Sequence, residues 1–222
     1  HLDRLGLLTA IIPELALTKG VDQPYEHYWD VFNHSVQSIA TLERLLDKTT
    51  GVEMLRLAPH IAPYIGDFDE EISPGLTRGG LVKLAVLVHD IAKPQTKVLQ
   101  PDGRAHFYGH PTQGAEVAGG IMQRLRFSNK EIKMVQKMIE SHLRLWQMGG
   151  DQGLPTRRAI YRYFRDTADV SVDIMFLTLA DFLATQGPNL DIAEWERHSR
   201  LMEYVLAQRD EDETVAAPPK LI

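Results

Sequence analysis

The sequence predicts an all-α protein, and three observations support that prediction. Apolar residues recur at helical spacing in most segments, and residues that start or stop helices stand at the segment boundaries. Strands do not alternate with helices, so a doubly wound sheet is not expected. The chain has 222 residues, 44% of them hydrophobic and 24% charged, as expected for one globular domain. We predict this domain over residues 1–208 and a disordered tail, acidic and then Pro-rich, over 209–222.

Two long helices are predicted in the first half of the chain. Apolar spacing places the first over residues 30–48. Residues 76–91 are apolar nearly all round and fit either a buried strand or a buried helix by periodicity alone. Their length and the Lys93-Pro94 stop that follows favour a central helix. Residues 94–107 contain the turn PDG and are predicted to form a loop or a short hairpin.

The second half is also predicted to be helical, with capping residues at two of the helix starts. Ser128 and Glu131 form a capping-box pattern ahead of an apolar run. Thr156, directly after Pro155, can cap the next helix. The predicted helices span 112–125, 128–141, a segment from 156 onward, 170–185 and 192–208.

Charge and cysteine content exclude several classes of site and partner. A net charge of −6 does not support a large footprint on nucleic acid, and DNA is not expected as a partner. No stretch approaches the apolar length of a membrane span, so no membrane partner is expected either. The absence of cysteine excludes disulfides, thiolate zinc sites and Cys nucleophiles. Any metal must therefore be held by imidazole and carboxylate. We predict a cytoplasmic protein, since a cysteine-free chain fits a reducing compartment.

A His-Asp pair stands at the end of the most apolar predicted helix. His89 and Asp90 follow the run LAVLV, where an unpaired imidazole or carboxylate would cost on the order of several kcal/mol to bury. A metal ion removes that cost, because it takes both groups in their deprotonated forms. The pair is therefore a candidate for metal ligation.

Other candidate ligands lie on other predicted helices and on one loop. His34 is near the start of the first helix, His142 near the end of another, and Asp181 in the middle of a third, while His110 follows the loop. For Asp181 the alternative is a buried acid paired with an arginine, and a mononuclear site would need neither His110 nor His142. Imidazole and carboxylate together accept one or two divalent ions, with Mn, Fe, Ni, Co, Zn and Mg all open.

The remaining histidines and the tryptophans receive no chemical role. His27 is expected to shape the pocket or to pack, and His198 to be a packed or surface residue rather than a ligand. Trp29, Trp146 and Trp195 are interpreted as core or rim aromatics.

The order His34, His89-Asp90, Asp181 resembles the H…HD…D signature of the HD phosphohydrolase superfamily, whose fold is a helical bundle. His110 and His142 are similar to the additional pair of its binuclear members. The resemblance implies one metal held by His34, His89, Asp90 and Asp181, and a second that shares Asp90 and takes His110 and His142. It also implies a metal-dependent phosphohydrolase in which Asp90 and Lys93 are catalytic residues.

A closer resemblance is to the HD domain attached to bacterial tRNA nucleotidyltransferases and poly(A) polymerases. It is carried by the segments LGLL at 5–8, IPEL at 12–15, GVDQP at 20–24, WDVFNH at 29–34, HDIAKP at 89–94 and FYGH at 107–110. The similarity runs from the first residues to about Asp191. Proteins of that family need a catalytic palm domain with a Gly-Gly-Ser motif. Asp67 and Asp69 have the spacing of its metal pair, but no such motif precedes them, and we interpret residues 58–79 as a loop.

Substrate and partners follow from the same resemblance. Lys93, one helical turn after the HD pair, and Arg144 are the candidate substrate-binding residues, each as a charge for a phosphate. The implied substrates are 2′,3′-cyclic nucleotides, 2′-nucleotides or phosphorylated RNA ends. We expect the chain to be a piece of a longer protein and tRNA to be a partner through an upstream domain.

Arg158, Arg162 and Arg165 share one face of a predicted helix. We interpret this face as a solvated surface rather than as an RNA contact.

Two alternatives to an active phosphohydrolase stay open. The domain could be an RNA-positioning or structural arm of a larger nucleotidyltransferase, with metal ligands present but little activity. It could also be a degenerate module that binds a nucleotide without turnover, although an intact ligand set argues against that.

Overall fold

The computed structural model describes residues 2–56, 58–149 and 153–216, with only the backbone for 211–216. The α-helices are α1 (Leu7–Ile11), α2 (Val31–Leu46), α3 (Thr50–Met54), α4 (Arg78–Val88), α5 (Lys93–Thr96), α6 (His110–Arg124), α7 (Asn129–Ser141), α8 (Arg144–Met148), α9 (Arg157–Thr167), α10 (Ser171–Gln186) and α11 (Ile192–Ala216). Short 3-10 helices span Pro13–Thr18, Ala62–Asp69 and Ala168–Val170. Two antiparallel pairs complete the described part, β1 (Glu71–Ser73) with β2 (Leu76–Thr77) and β3 (Lys97–Leu99) with β4 (Ala105–Phe107). The prediction of an all-α fold is confirmed.

The core is built around α4 and α10, the two most apolar helices. α4 packs against α2, α7 and α10, and α10 packs against α2, α4, α7 and α11. The first ten residues of α10 are all buried, as are the last four of α4. A helix that is apolar all round has to lie inside a bundle, because it has no polar face to present to water. These two helices carry Asp181 and the His89-Asp90 pair into the interior.

The ambiguous apolar run at 76–91 is a helix, and the segment after it is a hairpin. Thr77 caps α4, since its hydroxyl accepts from Gly80 N at 3.1 Å. β3 and β4 pair Lys97 with Phe107, so the hairpin alternative for 94–107 holds. The helical turn α5 begins at Lys93, because a proline in the first turn costs no helix hydrogen bond.

Two predicted boundaries differ from the structure. Residues 58–79, predicted as a loop, contain a 3-10 helix and the β1–β2 pair. The last helix, predicted to end at residue 208, continues to Ala216. Just past the predicted end, the Arg209 guanidinium packs 5.5 Å from the ring centre of Tyr64 and 5.2 Å from that of Phe164. Residues 217–222 of the predicted tail lie outside the described residues.

None of the described helices combines the length and the apolar character that a membrane crossing requires.

The capping box predicted at the start of α7 is present, and it sets a stability prediction. The Ser128 hydroxyl accepts from Glu131 N at 3.3 Å, and the Glu131 carboxylate accepts from Ser128 N at 2.6 Å and from the Ser73 hydroxyl at 2.6 Å. We expect Ser128→Ala to lower the free energy of unfolding by about 1 kcal/mol. Urea denaturation measures the change, and Ser128→Asp, which retains a capping acceptor, should lose much less. Equal losses in both variants would contradict the capping role.

Candidate metal centre

Side chains from helices far apart in the sequence meet at one point inside the bundle. Most of them stand at helix ends, where a side chain can project beyond the helix into the space between neighbours. His34 lies in the first turn of α2, His89-Asp90 directly follow α4, His110 begins α6, His142 directly follows α7, and Asp181 lies in the second half of α10. The structure therefore brings together all of the predicted metal ligands.

Asp90 stands at the centre of this group. Its Oδ2 lies 3.2 Å from His89 Nε2 and 3.6 Å from His34 Nε2, and its Oδ1 lies 3.4 Å from His110 Nε2. The His142 ring centre is 5.2 Å from that of His89 and 5.4 Å from that of His110. One carboxylate thus faces imidazoles on two sides, which is the arrangement that a residue shared by two metal positions requires.

Asp181, on α10, also contacts the histidines of this group. Its Oδ1 lies 2.9 Å from His34 Nε2 and 3.7 Å from His89 Nε2. The alternative interpretation, in which Asp181 is a buried acid paired with an arginine, is not supported, because its partners are these two histidines. That pairing occurs elsewhere on the same helix, between Asp173 and Arg78.

The backbone orients three of the four imidazoles. In each of them the ring Nδ1–H donates to a carbonyl three residues earlier, which leaves the Nε2 lone pair to face the centre. This hydrogen bond fixes the tautomer that a metal ligand needs. The pairs are His89 with Val86 at 2.8 Å, His110 with Phe107 at 2.7 Å and His142 with Ile139 at 2.6 Å.

The unpaired atoms of the centre fit a divalent cation. Buried polar groups normally have hydrogen-bond partners, because an unpaired one costs about 1–3 kcal/mol. Here His89 Nε2, His110 Nε2 and Asp90 Oδ1 are buried without one. Three sets of ligand atoms each lie within 4.8 Å of one another: His34, His89 and Asp90; His89, His142 and Asp181; Asp90, His110 and His142. These groups could hold a metal, although the geometry does not identify it.

The electrostatics favour positive charge at this point. Burial raises the pKa of Asp90, but His89 and Lys93 outweigh it and hold the pKa well below its usual value. Burial lowers the pKa of His89, yet Asp90 and Asp181 raise it to about 10. Burial and the charge of His89 lower the pKa of His142 to about 4, so that ring is a neutral donor. Asp181 is held ionised in the same way, by His34 and His89. Two ionised carboxylates that keep a proton on the buried His89 ring form a site complementary to a cation, and a divalent ion can take the place of that proton.

Lys93 lies where the helical spacing predicts it. Its Nζ is 2.7 Å from Asp90 Oδ2 and donates to Gln23 Oε1 at 2.6 Å. Gln23 in turn donates to the Trp29 carbonyl at 3.2 Å, so the segment before α2 holds the lysine in place. Gln23 was missed as a site residue, because nothing local in the sequence links it to a lysine seventy residues away.

The centre forms one wall of a cavity of about 470 Å³. Lys93, Asp90, His110, His142 and Asp181 line this wall. The rest of the lining includes His27, which the sequence predicts to shape the pocket or to pack, and four residues that received no chemical role: Trp146, Phe182, Arg197 and His198. The sequence could have indicated Trp146 as a cavity residue, because it stands one helical turn after His142. Nothing in the sequence indicated His198, which lies on the distant α11.

The structure does not bring every predicted residue to the cavity. Arg144 Nη2 pairs with Asp166 Oδ2 at 2.7 Å, and Arg144 is not among the described residues that line the cavity. Its substrate-binding role stays a prediction that this geometry does not support, since the carboxylate on α9 holds the guanidinium. Asp69 is exposed and pairs with Lys48 at 2.7 Å, which agrees with its exclusion as a catalytic metal ligand.

The comparison with known families agrees with this geometry. A family model described as HD domain matches residues 31–186, from the start of α2 to the end of α10. The chain belongs to the HD domain family. The matched range contains every predicted ligand of the HD domain centre.

Relatives of this HD domain include proteins named for tRNA. The A-adding tRNA nucleotidyltransferase of Deinococcus radiodurans is 30% identical over 222 residues, which is 100% of this chain and 42% of the relative. The CC-adding tRNA nucleotidyltransferase of Thermus thermophilus is 29% identical over 212 residues, 94% of this chain and 40% of the relative. A bifunctional uridylyltransferase/uridylyl-removing enzyme of Bradyrhizobium sp. is 27% identical over 137 residues, 62% of this chain and 12% of the relative. The chain thus spans about two fifths of the two tRNA nucleotidyltransferases.

Proposed function

We propose that this HD domain is a metal-dependent phosphohydrolase acting on nucleotides or on RNA 3′ ends. The observation that carries the proposal is the cluster of unpaired imidazole and carboxylate atoms on one wall of an open cavity, with Lys93 beside it. A purely structural cluster would be expected to satisfy its own polar atoms. Phosphomonoesters and 2′,3′-cyclic phosphodiesters are the proposed substrates.

The proposed roles of the residues follow from their positions. His34, His89, Asp90 and Asp181 would hold one metal, and His110 and His142 a second that shares Asp90. Divalent ions at such a site neutralise charge on phosphoryl oxygens and make water a nucleophile near neutral pH. Mn, Fe, Ni, Co, Zn and Mg are all compatible with the ligand types.

Lys93 would place the substrate phosphate. Its ammonium group is held by Gln23 and Asp90 at the edge of the cavity, so it offers a fixed positive charge beside the ligand cluster. When a substrate phosphate reaches the cluster, the Lys93 ammonium group would exchange part of its contact with Asp90 for a contact with a phosphate oxygen. We therefore assign Lys93 to phosphate binding and orientation.

The test is hydrolysis of 2′,3′-cyclic AMP by the purified chain with Mn²⁺, Ni²⁺, Co²⁺ or Mg²⁺ added. We expect turnover that depends on the metal and stops when EDTA is added. Lys93→Ala should raise KM by about tenfold, because it removes a charged phosphate contact. Lys83→Ala, an exposed lysine paired with Glu43, is the matched control and should change nothing. Absence of 2′,3′-cyclic AMP turnover with every one of these metals would count against the proposal.

A second candidate function is supported by the two relatives named for adding nucleotides to tRNA. In that case the domain would be an RNA-positioning arm of a longer nucleotidyltransferase, which would place it in the cytoplasm with tRNA. The two functions are compatible. Binding of tRNA to an Asp90→Ala variant separates them: an arm should keep its tRNA affinity when the metal centre is lost.

A further inference from the structure

The cavity has a second end that the metal centre does not use. We call it the aromatic end and define it by Trp146, Phe182 and His198. The His198 ring centre lies 3.5 Å from the ring centres of both Trp146 and Phe182. Arg197 lies on the Trp146 ring, 5.6 Å from its centre, and pairs with Glu194. All of these side chains line the same cavity as Lys93 and the ligand cluster.

His198 carries an unsatisfied acceptor at this end. Its Nδ1–H donates to the Glu194 carbonyl at 2.7 Å, which leaves a lone pair on Nε2. Nε2 is buried without a hydrogen-bond partner, and the residue is only 1% exposed. Burial also lowers the pKa of His198 to about 4, so the ring is neutral near pH 7. A buried acceptor that no described protein donor satisfies, in a residue that lines the cavity, is a candidate partner for a donor from a ligand.

We propose that the aromatic end binds the nucleobase of the substrate and that His198 Nε2 accepts a hydrogen bond from a base amino group. This inference rests on the proposed function, in which the phosphate lies at the metal centre. The His198 ring occupies the space between Trp146 and Phe182, so the surface left for a ligand to stack on is the exposed part of Trp146. A planar heterocycle is the ligand that such an aromatic surface favours, because every base presents a face for stacking. A cavity of about 470 Å³ lies in the ordinary range for small-molecule sites.

The proposal makes His198 and Trp146 specificity residues with separable effects. His198 accepts one hydrogen bond from the base, so its replacement should weaken the binding only of ligands that carry the amino group. Trp146, which is 38% exposed and therefore partly open, supplies stacking surface, so its loss should weaken every base-bearing ligand alike. Neither change should alter the affinity for inorganic phosphate.

The experiment is calorimetric binding to the Mn²⁺-loaded chain. The ligands are adenosine 2′-monophosphate, the purine riboside 2′-monophosphate that lacks the 6-amino group, and inorganic phosphate. We expect the wild type to bind the adenosine compound about tenfold more tightly than the purine compound, since the latter leaves Nε2 unpaired. His198→Phe should remove this ratio, His198→Gln, which retains an acceptor, should restore part of it, and His60→Phe, a histidine outside the cavity, should keep it.

Trp146→Leu provides a second measurement that does not depend on the folding of the His198 variants. It should weaken both nucleotides about tenfold and leave phosphate unchanged. Equal wild-type affinities for the two nucleotides, or phosphate binding that falls with nucleotide binding in Trp146→Leu, would overturn the inference. Binding with these ratios but without turnover of cyclic AMP would overturn only the proposed function.

Discussion

Replacement of Asp90 by alanine is expected to lower the affinity for divalent metal by more than about 100-fold and to abolish metal-dependent hydrolysis. Changes to residues that merely support metal ligands already cost 10–100-fold, and Asp90 contacts the cluster directly through both oxygens. The residue belongs to two of the three candidate ligand sets, so its loss should weaken both metal positions together. Titration calorimetry with Mn²⁺ measures the affinity, and cyclic AMP turnover measures the activity.

Asp166→Ala is the matched control for this experiment. Asp166 is also an aspartate on a helix, but it pairs with Arg144 and Arg165 away from the cavity. We expect its variant to bind metal and to turn over substrate like the wild type. Undiminished Mn²⁺ affinity in the Asp90 variant would show that the cluster is not the metal site. Circular dichroism should confirm that both variants are folded.

Replacement of Arg78 by leucine is expected to lower the free energy of unfolding by about 3–5 kcal/mol. Arg78 begins α4, and Asp173 lies in the first turn of α10. The guanidinium donates to both Asp173 oxygens, from Nε at 2.7 Å and from Nη2 at 2.9 Å, and the Asp173 side chain is 0% exposed. Loss of the arginine therefore leaves a buried carboxylate without its partner.

The effect of Arg78→Leu should depend on pH in a defined direction. Burial raises the pKa of Asp173, with Arg78 opposing that rise, so the variant should raise the pKa further. A carboxyl group whose pKa is higher in the folded state binds protons on folding, and stability then increases as the pH falls. The stability deficit should therefore shrink between pH 7 and pH 5. Urea denaturation at several pH values measures it.

The double variant Arg78→Leu/Asp173→Leu tests whether the unpaired charge is the cause. It should recover much of the loss, because two apolar side chains replace the ion pair without leaving a charge. If the double variant is as unstable as the single one, packing rather than charge would explain the effect. This pair joins the helices that carry His89-Asp90 and Asp181, so its loss should also loosen the candidate metal centre.

The long helices could be predicted because their determinants lie within a few residues. The Ser128-Glu131 capping box acts across one turn, and the apolar character of α4 and α10 is a property of each segment alone. The spacing of His89, Asp90 and Lys93 is local in the same sense, and the structure places the lysine where that spacing predicts it. The family was also recognisable from the order of these residues, and the HD domain match over residues 31–186 confirms it.

The partners of polar side chains could not be predicted in this way. Arg144, predicted to bind substrate, has its guanidinium paired with Asp166 on α9. Arg209, just past the predicted end of α11, packs its guanidinium on the rings of Tyr64 and Phe164. In each case the deciding neighbour is distant in the sequence, and no periodicity within a segment carries information about it.

By itself, the sequence determined the helical class, the main helices and the set of residues able to ligate a metal. Periodicity, caps and residue chemistry act over one or two turns and can be recognised in a single segment. Only the tertiary structure decided that those ligands meet around Asp90 and that Trp146, Phe182 and His198 form a second end of their cavity. The physical reason is that a site is made where helices cross, and the crossings depend on the packing of the whole bundle.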